Sequence, residues 1–156
     1  MRPTFAALAL LAATATAQAQ SPAPREGWSV HPTEKDYQTL VDAVKSAAGT
    51  QQLGVVTQAG PTAAAASRGV TIPGNQVIGL FNNVYAVRIL GLSSAAMIEA
   101  PIRMYVTENP DGSATLSYKT PSHIFSPYMD EGGDDLAAAA AELDAKFDAV
   151  AKAAVQ

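Results

Sequence analysis

Residues Pro101 to Pro121 read PIRMYVTENPDGSATLSYKTP. Ile102, Met104 and Val106 alternate with Arg103, Tyr105 and Thr107, the period of two that sends successive side chains to opposite faces of a strand. Asn109-Pro110-Asp111-Gly112 then supplies residue types that favour a tight turn. Ala114, Leu116 and Tyr118 resume the alternation, and Pro121 ends it. The stretch predicts an antiparallel hairpin with one apolar face. A lone hairpin is marginal in water, so that face needs partners from the flanking chain.

Downstream, residues 122–135 (SHIFSPYMDEGGDD) read as a loop, with Asp134 or Asp135 capping a final helix. Leu136, Leu143, Phe147 and Val150 form that helix's apolar stripe. Lys146 and Lys152 lie toward its C-terminal end, where the dipole favours cations. Upstream, NQVIGLFN reads as a strand that breaks at Asn82-Asn83. A helix starting near Val84 is expected to run through VYAVRILGLSSAAMIEA. A short helix from Pro61 to Ser67, closed by Gly69, follows a strand in LGVVTQ. Glu34 to Ala48 is a predicted helix, with Thr33 as N-cap, Asp36 as the capping-box acid and Gly49 as the C-cap glycine. GWSVH is a first short strand, ended by Pro32. The order β-α-β-α-β-α-β-β-α implies an α+β fold, a two-layer sandwich with helices over one face of an antiparallel or mixed sheet.

The first residues have a different character. Met1-Arg2 precedes an apolar stretch too short to span a bilayer, and Ala17-Gln18-Ala19 places small residues where a signal peptidase reads them. Residues 1–19 are expected to be a signal peptide cleaved after Ala19, residues 20–27 a flexible tail, and residues 28–156 a single domain in the periplasm or outside the cell. No later segment reads as a membrane span. The chain has no cysteine, which removes thiol catalysis, thiolate metal sites, iron–sulfur ligation and covalent c-type haem attachment. A formal charge of −4 without basic clusters argues against nucleic acid as a partner.

The segment VIGLFNN, the helix after it and the hairpin together resemble the bacterial family DUF302. Asn82 stands at that family's strand-ending Asn, Met97 within the helix and Pro101 at the strand-opening Pro. Gly112 is the turn glycine, and Tyr118 and Pro121 bracket the closing tetrad. Phe81, Asn83, Lys119 and Thr120 depart from the pattern, and the helix is longer than usual. The resemblance covers roughly Glu34 to Pro121. It implies a small α+β domain with a curved, mainly antiparallel sheet, similar to TATA-binding-protein-like folds. It also implies a homodimer, and no established activity.

Six residues are candidates for ligand binding: Asn82, Asn83, Arg88, Tyr105, Tyr118 and His123. The asparagines suit a tight strand-to-helix corner and its cap, and would equally present polar groups to an anion or carbonyl at the helix N-terminus. Arg88, in the apolar run VYAVRILGL, must find a partner: a ligand carboxylate, Glu99, or an aspartate across an interface. Tyr105 and Tyr118 are ordinary strand residues or groove-lining aromatics with a polar tip. His123 is a loop histidine, a general base near Tyr118, or a metal ligand with Met97 or Met129, since Met104 reads as an inward strand residue. His31, the other histidine, is read as strand-end polarity.

No catalytic constellation, phosphate loop or dinucleotide fingerprint is present in the sequence. The leading expectation is a non-enzymatic small-ligand-binding or protein-interaction module with no cofactor. The alternatives are a metal or haem protein using His123 and a methionine, and a small enzyme using Tyr118, His123 and Arg88.

Overall fold

The computed structural model describes residues 21–156. The expected signal peptide lies outside the described residues.

The predicted hairpin forms strands β4 (Ile102–Glu108) and β5 (Ser113–Lys119), with Met104 facing Tyr118 and Val106 facing Leu116. Gly112 takes φ +85 in the connecting turn, a conformation that L side chains rarely adopt. Around the hairpin stand β1 (Trp28–Asp36), β2 (Gly54–Ala59) and β3 (Asn75–Phe81), in the order β1-β5-β4-β3-β2. Every pairing is antiparallel, and the sheet is open, with β1 and β2 at its edges.

Helix α1 (Tyr37–Thr50) and the long α5 (Met129–Val155) supply the second layer. Leu40, Val41 and Val44 of α1 and Leu136, Leu143, Phe147 and Val150 of α5 are buried against Ile78, Met104, Val106, Leu116 and Tyr118 of the sheet. Ala47, Ala48, Ala139, Ala140, Ala151 and Ala154 are buried with them, small residues that let helix backbones come close. The α+β architecture, with helices on an antiparallel sheet, is as the sequence predicts.

Boundaries differ where tertiary pairing outweighs local signals. Pro32 does not end β1. It pairs with Thr115 inside an edge strand, where a missing N–H is tolerated. The strand reaches Asp36 through an irregularity after Thr33, so α1 starts at Tyr37 rather than Glu34. Its N-cap is Asp36, whose carboxylate accepts from Thr39 N at 2.9 Å and Thr39 Oγ1 at 2.6 Å. Thr33 Oγ1 accepts instead from Lys35 N at 3.1 Å. Gly49 lies inside α1. The left-handed residue is Gln52 (φ 60), where the chain turns to bury Leu53 and bond Leu53 N to Ala48 O at 2.9 Å.

The short helix α2 (Thr62–Ala66) is where its alanines place it. Helix α3 (Asn83–Leu92) stops earlier than expected. Ser93 is extended (φ −149), and its Oγ accepts from Ala96 N at 3.0 Å, opening a separate 3-10 turn over Ala96–Glu99. A serine hydroxyl that bonds nearby backbone competes with helix continuation. The segment after Pro121 is helical rather than a loop: α4 (Pro121–Phe125) and a 3-10 turn lead directly into α5. Helix α5 therefore begins at Met129, ahead of Asp134, with a break at Gly133 (φ 53, ψ −146).

Candidate functional site

The strand period that buries Met104 and Tyr118 turns Arg103, Tyr105 and Lys119 to the other face of the sheet, away from α1 and α5. Cross-strand partners share a face, so that surface can be read in rows. One row runs Asn75, Thr107, Thr115, Pro32, and the next runs Val77, Tyr105, Ser117, Val30. A third joins Gly79 to Arg103 and Lys119 to Trp28. Gly79 is required there, because a Cβ would lie 2.1 Å from Thr57 Oγ1 and 2.9 Å from Pro101 Cγ.

This outer face holds a groove of about 470 Å³ lined by Trp28, Asn75, Val77, Arg103, Tyr105, Tyr118 and Lys119, with Ile124 of α4 as a wall. Its size falls in the range of small-molecule sites. Tyr105 is half-buried, and its hydroxyl accepts from Asn75 Nδ2. Beside Tyr105, Ser117 is fully buried and its Oγ has no hydrogen-bond partner. Residues 21–27 lead across this side of the sheet. Ser21 Oγ meets Thr107 Oγ1 at 2.9 Å near the hairpin turn, and Trp28 pairs with Lys119 at the opposite end.

The charges are sorted between the two layers. The Arg25 guanidinium lies 5.0 Å from the Trp28 ring centroid, and Lys119 Nζ lies 5.9 Å from it, both within cation–π reach. Among the described residues, Arg25, Arg103 and Lys119 form no ion pair. The pairs present are Lys45 with Asp42, Arg88 with Glu142 and Lys152 with Asp148. Seven of the fourteen acids lie on α5, against two lysines. The helical layer is thus acidic, and the groove's only charged lining residues are cations.

The six sequence candidates do not converge. Asn82 is a structural cap: its Oδ1 accepts from Val84 N at 2.9 Å and Tyr85 N at 3.2 Å, and its Nδ2 donates to Gln52 O at 2.8 Å. Asn83 is exposed at the start of α3. The space beneath this corner is an apolar crevice of about 30 Å³, one water's worth of volume. Arg88 pairs with Glu142 of α5 at 2.9 Å. The expected partner Glu99 accepts instead from Tyr128 OH at 2.8 Å. The hydrogen bond to Glu142 holds the Arg88 guanidinium above its usual range, and Glu142 is lowered in turn, first by Arg88 and then by Tyr85.

Both tyrosines border the groove, but the strand period turns the Tyr118 side chain toward the opposite, core face. Tyr118 is 3% exposed, its ring stacked on His31 and tilted against Phe147. Burial raises its phenol pKa, partly offset by a hydrogen bond with Ser29. His123 is exposed on α4 with its ring against Gly27, where a Cβ would lie 2.1 Å from His123 Cγ. Met97 lines the crevice beneath α3, and Met129 packs on the core. Among the described residues, no three His, Cys, Asp or Glu side chains gather in a group that could hold a metal ion. No helix among them is long and apolar enough to cross a membrane.

Sequence reasoning missed Asn75, Val77, Arg103 and Ile124 of the groove, and also Trp28 and Lys119. The last two sit at strand ends, and only the β1–β5 register brings them together. Their signal was present: the chain's single tryptophan follows directly on the Arg25-Glu26-Gly27 turn.

No curated protein matches the chain. Among solved structures it resembles the crystal structure of an uncharacterized conserved protein DUF302 from Bacillus stearothermophilus, at 14% sequence identity and a TM-score of 0.73. That alignment covers 85% of this chain and 100% of the other. The profile described as "Domain of unknown function DUF302" matches residues 29–154, well beyond the stretch whose motifs suggested it. The chain belongs to the DUF302 family.

Proposed function

We propose that the protein is an exported, non-enzymatic binding module that takes a small molecule into the groove on the outer face of its sheet. One observation carries this reading. The sheet face not used by the core is an aromatic-lined groove of about 470 Å³, rather than the flat polar surface of an ordinary two-layer sandwich. The sequence of residues 1–19 supports export to the periplasm.

Native mass spectrometry of the mature protein, purified from a periplasmic extract without chelator, tests the reading. The expected result is an added organic mass that disappears in Tyr105→Ala. A clean protein mass, combined with no shift in melting temperature across a small-molecule library, would remove the groove as a binding site.

A homodimer has its own support. Val84, Val87 and Leu90 form a stripe on α3 and are 75%, 63% and 53% exposed, and Ile98 in the following 3-10 turn is 80% exposed. A two-fold interface sets a patch against its own copy, so a net charge there would repel itself. The single charged residue of α3, Arg88, is already neutralised by Glu142. Exposed Gly91 permits close approach of a second helix.

A further inference from the structure

The groove contains a tryptophan, a tyrosine and unpaired cations, and it has no acid in its lining. The rest of the molecule is acidic. Cations gathered without carboxylates repel one another, and an incoming anion is complementary to them and relieves that repulsion. Arg103 stands beside Gly79 in one row, and Lys119 is cross-strand from Trp28, so the charges gather at the Trp28 end of the groove. Val77 and Tyr105 in the adjoining row, and Ile124 of α4, offer flat and apolar contact.

We infer that the ligand is a flat, ring-bearing anion, its carboxylate or phosphate held by Arg103, Lys119 and Arg25 and its ring laid against Trp28 and Tyr105. This inference rests on the groove being the binding site. Charge-assisted hydrogen bonds to guanidinium and ammonium groups would fix the headgroup. Trp28 already receives two cations near its ring, and the anion would sit among them while its own ring stacks or packs on the apolar wall.

Trp28 is the single tryptophan, so one indole N–H signal in a proton–nitrogen correlation spectrum reports directly on the site. The mature protein is titrated with naphthoate, naphthyl phosphate, naphthylmethanol and inorganic phosphate. The expected result is that the two ring anions move the indole signal and bind about tenfold or more tightly than the neutral alcohol. That preference should shrink with added salt and vanish in the double variant Arg103→Gln, Lys119→Gln. The tighter of the two ring anions names the headgroup.

Naphthylmethanol binding as well as naphthoate would overturn the anion assignment while leaving the groove as a site. Inorganic phosphate binding as tightly as naphthyl phosphate would overturn the ring. An indole signal unmoved by every probe would remove the inference and the proposed site together.

Discussion

His31 and Tyr118 lie face to face across β1 and β5, with ring centroids 6.0 Å apart and planes 7° from parallel. The pair closes the core at the edge strand, and Ser29 Oγ holds His31 Nε2 at 2.7 Å. Burial lowers the His31 pKa from its ordinary 6.5; Asp148 raises it and Lys152 lowers it by smaller amounts. In the unfolded chain His31 therefore binds a proton at higher pH than in the fold. Stability from this group is fully present above the unfolded pKa and is lost as pH falls through the lowered, folded one. Denaturant midpoints measured downward from neutral pH should fall over a window that opens near 6.5, and His31→Phe should flatten that window. An unchanged pH profile in the variant would show that the stack does not carry the effect. The hydrogen-bonded carboxylates Asp36 and Glu142, whose pKa values are also lowered, contribute their own losses only at more acidic pH.

Asn82 ties three backbone groups at the strand-to-helix corner. Asn82→Ala removes the N-cap of α3 and should cost about 1–2 kcal/mol of stability in urea unfolding. Binding to the outer groove should be unchanged, because this corner is not part of its lining. A loss of binding with stability intact would instead assign the corner to the ligand.

Ser117 buries a hydroxyl with no partner. An unsatisfied buried polar group is unfavourable, so Ser117→Ala should raise stability by about 1 kcal/mol. A decrease of similar size would mean that the hydroxyl is bonded in solution, and ligand titration of the variant would then show whether the groove uses it.

Val87 sits at the middle of the exposed α3 stripe. Val87→Glu places two like charges against each other in a two-fold contact and should convert a dimer to a monomer in sedimentation measurements, with the circular dichroism spectrum unchanged. A wild-type chain that sediments as a monomer at high concentration would dispose of the α3 interface.

Arg88 and Glu142 are bonded at 2.9 Å but half exposed, and surface pairs of this kind contribute little. Arg88→Met should leave the melting temperature nearly unchanged and should not alter binding of any anion. A variant that lost ligand affinity would return Arg88 to the role of carboxylate clamp.

The hairpin was legible in the sequence because its information is local. The alternation from Ile102 to Val106 and the turn at Asn109–Gly112 depend on neighbours in the chain, as do the amphipathic stripes of α1 and α5. Helix ends were less legible. Thr33 and Gly49 are good caps by type, yet the pairing of β1 with β5 as far as Asp36 and the burial of Leu53 moved both boundaries. Pro32 misled for the same reason: whether a proline stops a strand depends on whether its N–H side faces a neighbour, which is a property of sheet order.

By itself the sequence determined the fold class, the family, the absence of thiol chemistry and the acidic balance of the chain. The family follows from a resemblance of short motifs between Asn82 and Pro121, and the rest from composition and from periods of two and 3.6 residues, which are short-range quantities. Only the tertiary structure decided which tyrosine ring points out of the core. Tyr105 and Tyr118 stand on adjacent strands with the same residue type, and a one-residue offset in register sends one ring outward and the other into the core. It also decided that Arg25, Trp28, Arg103 and Lys119, spread over 95 positions of chain, meet at one end of a sheet. Strand pairing sets such meetings through long-range hydrogen bonds and burial, and no local pattern in the chain encodes them.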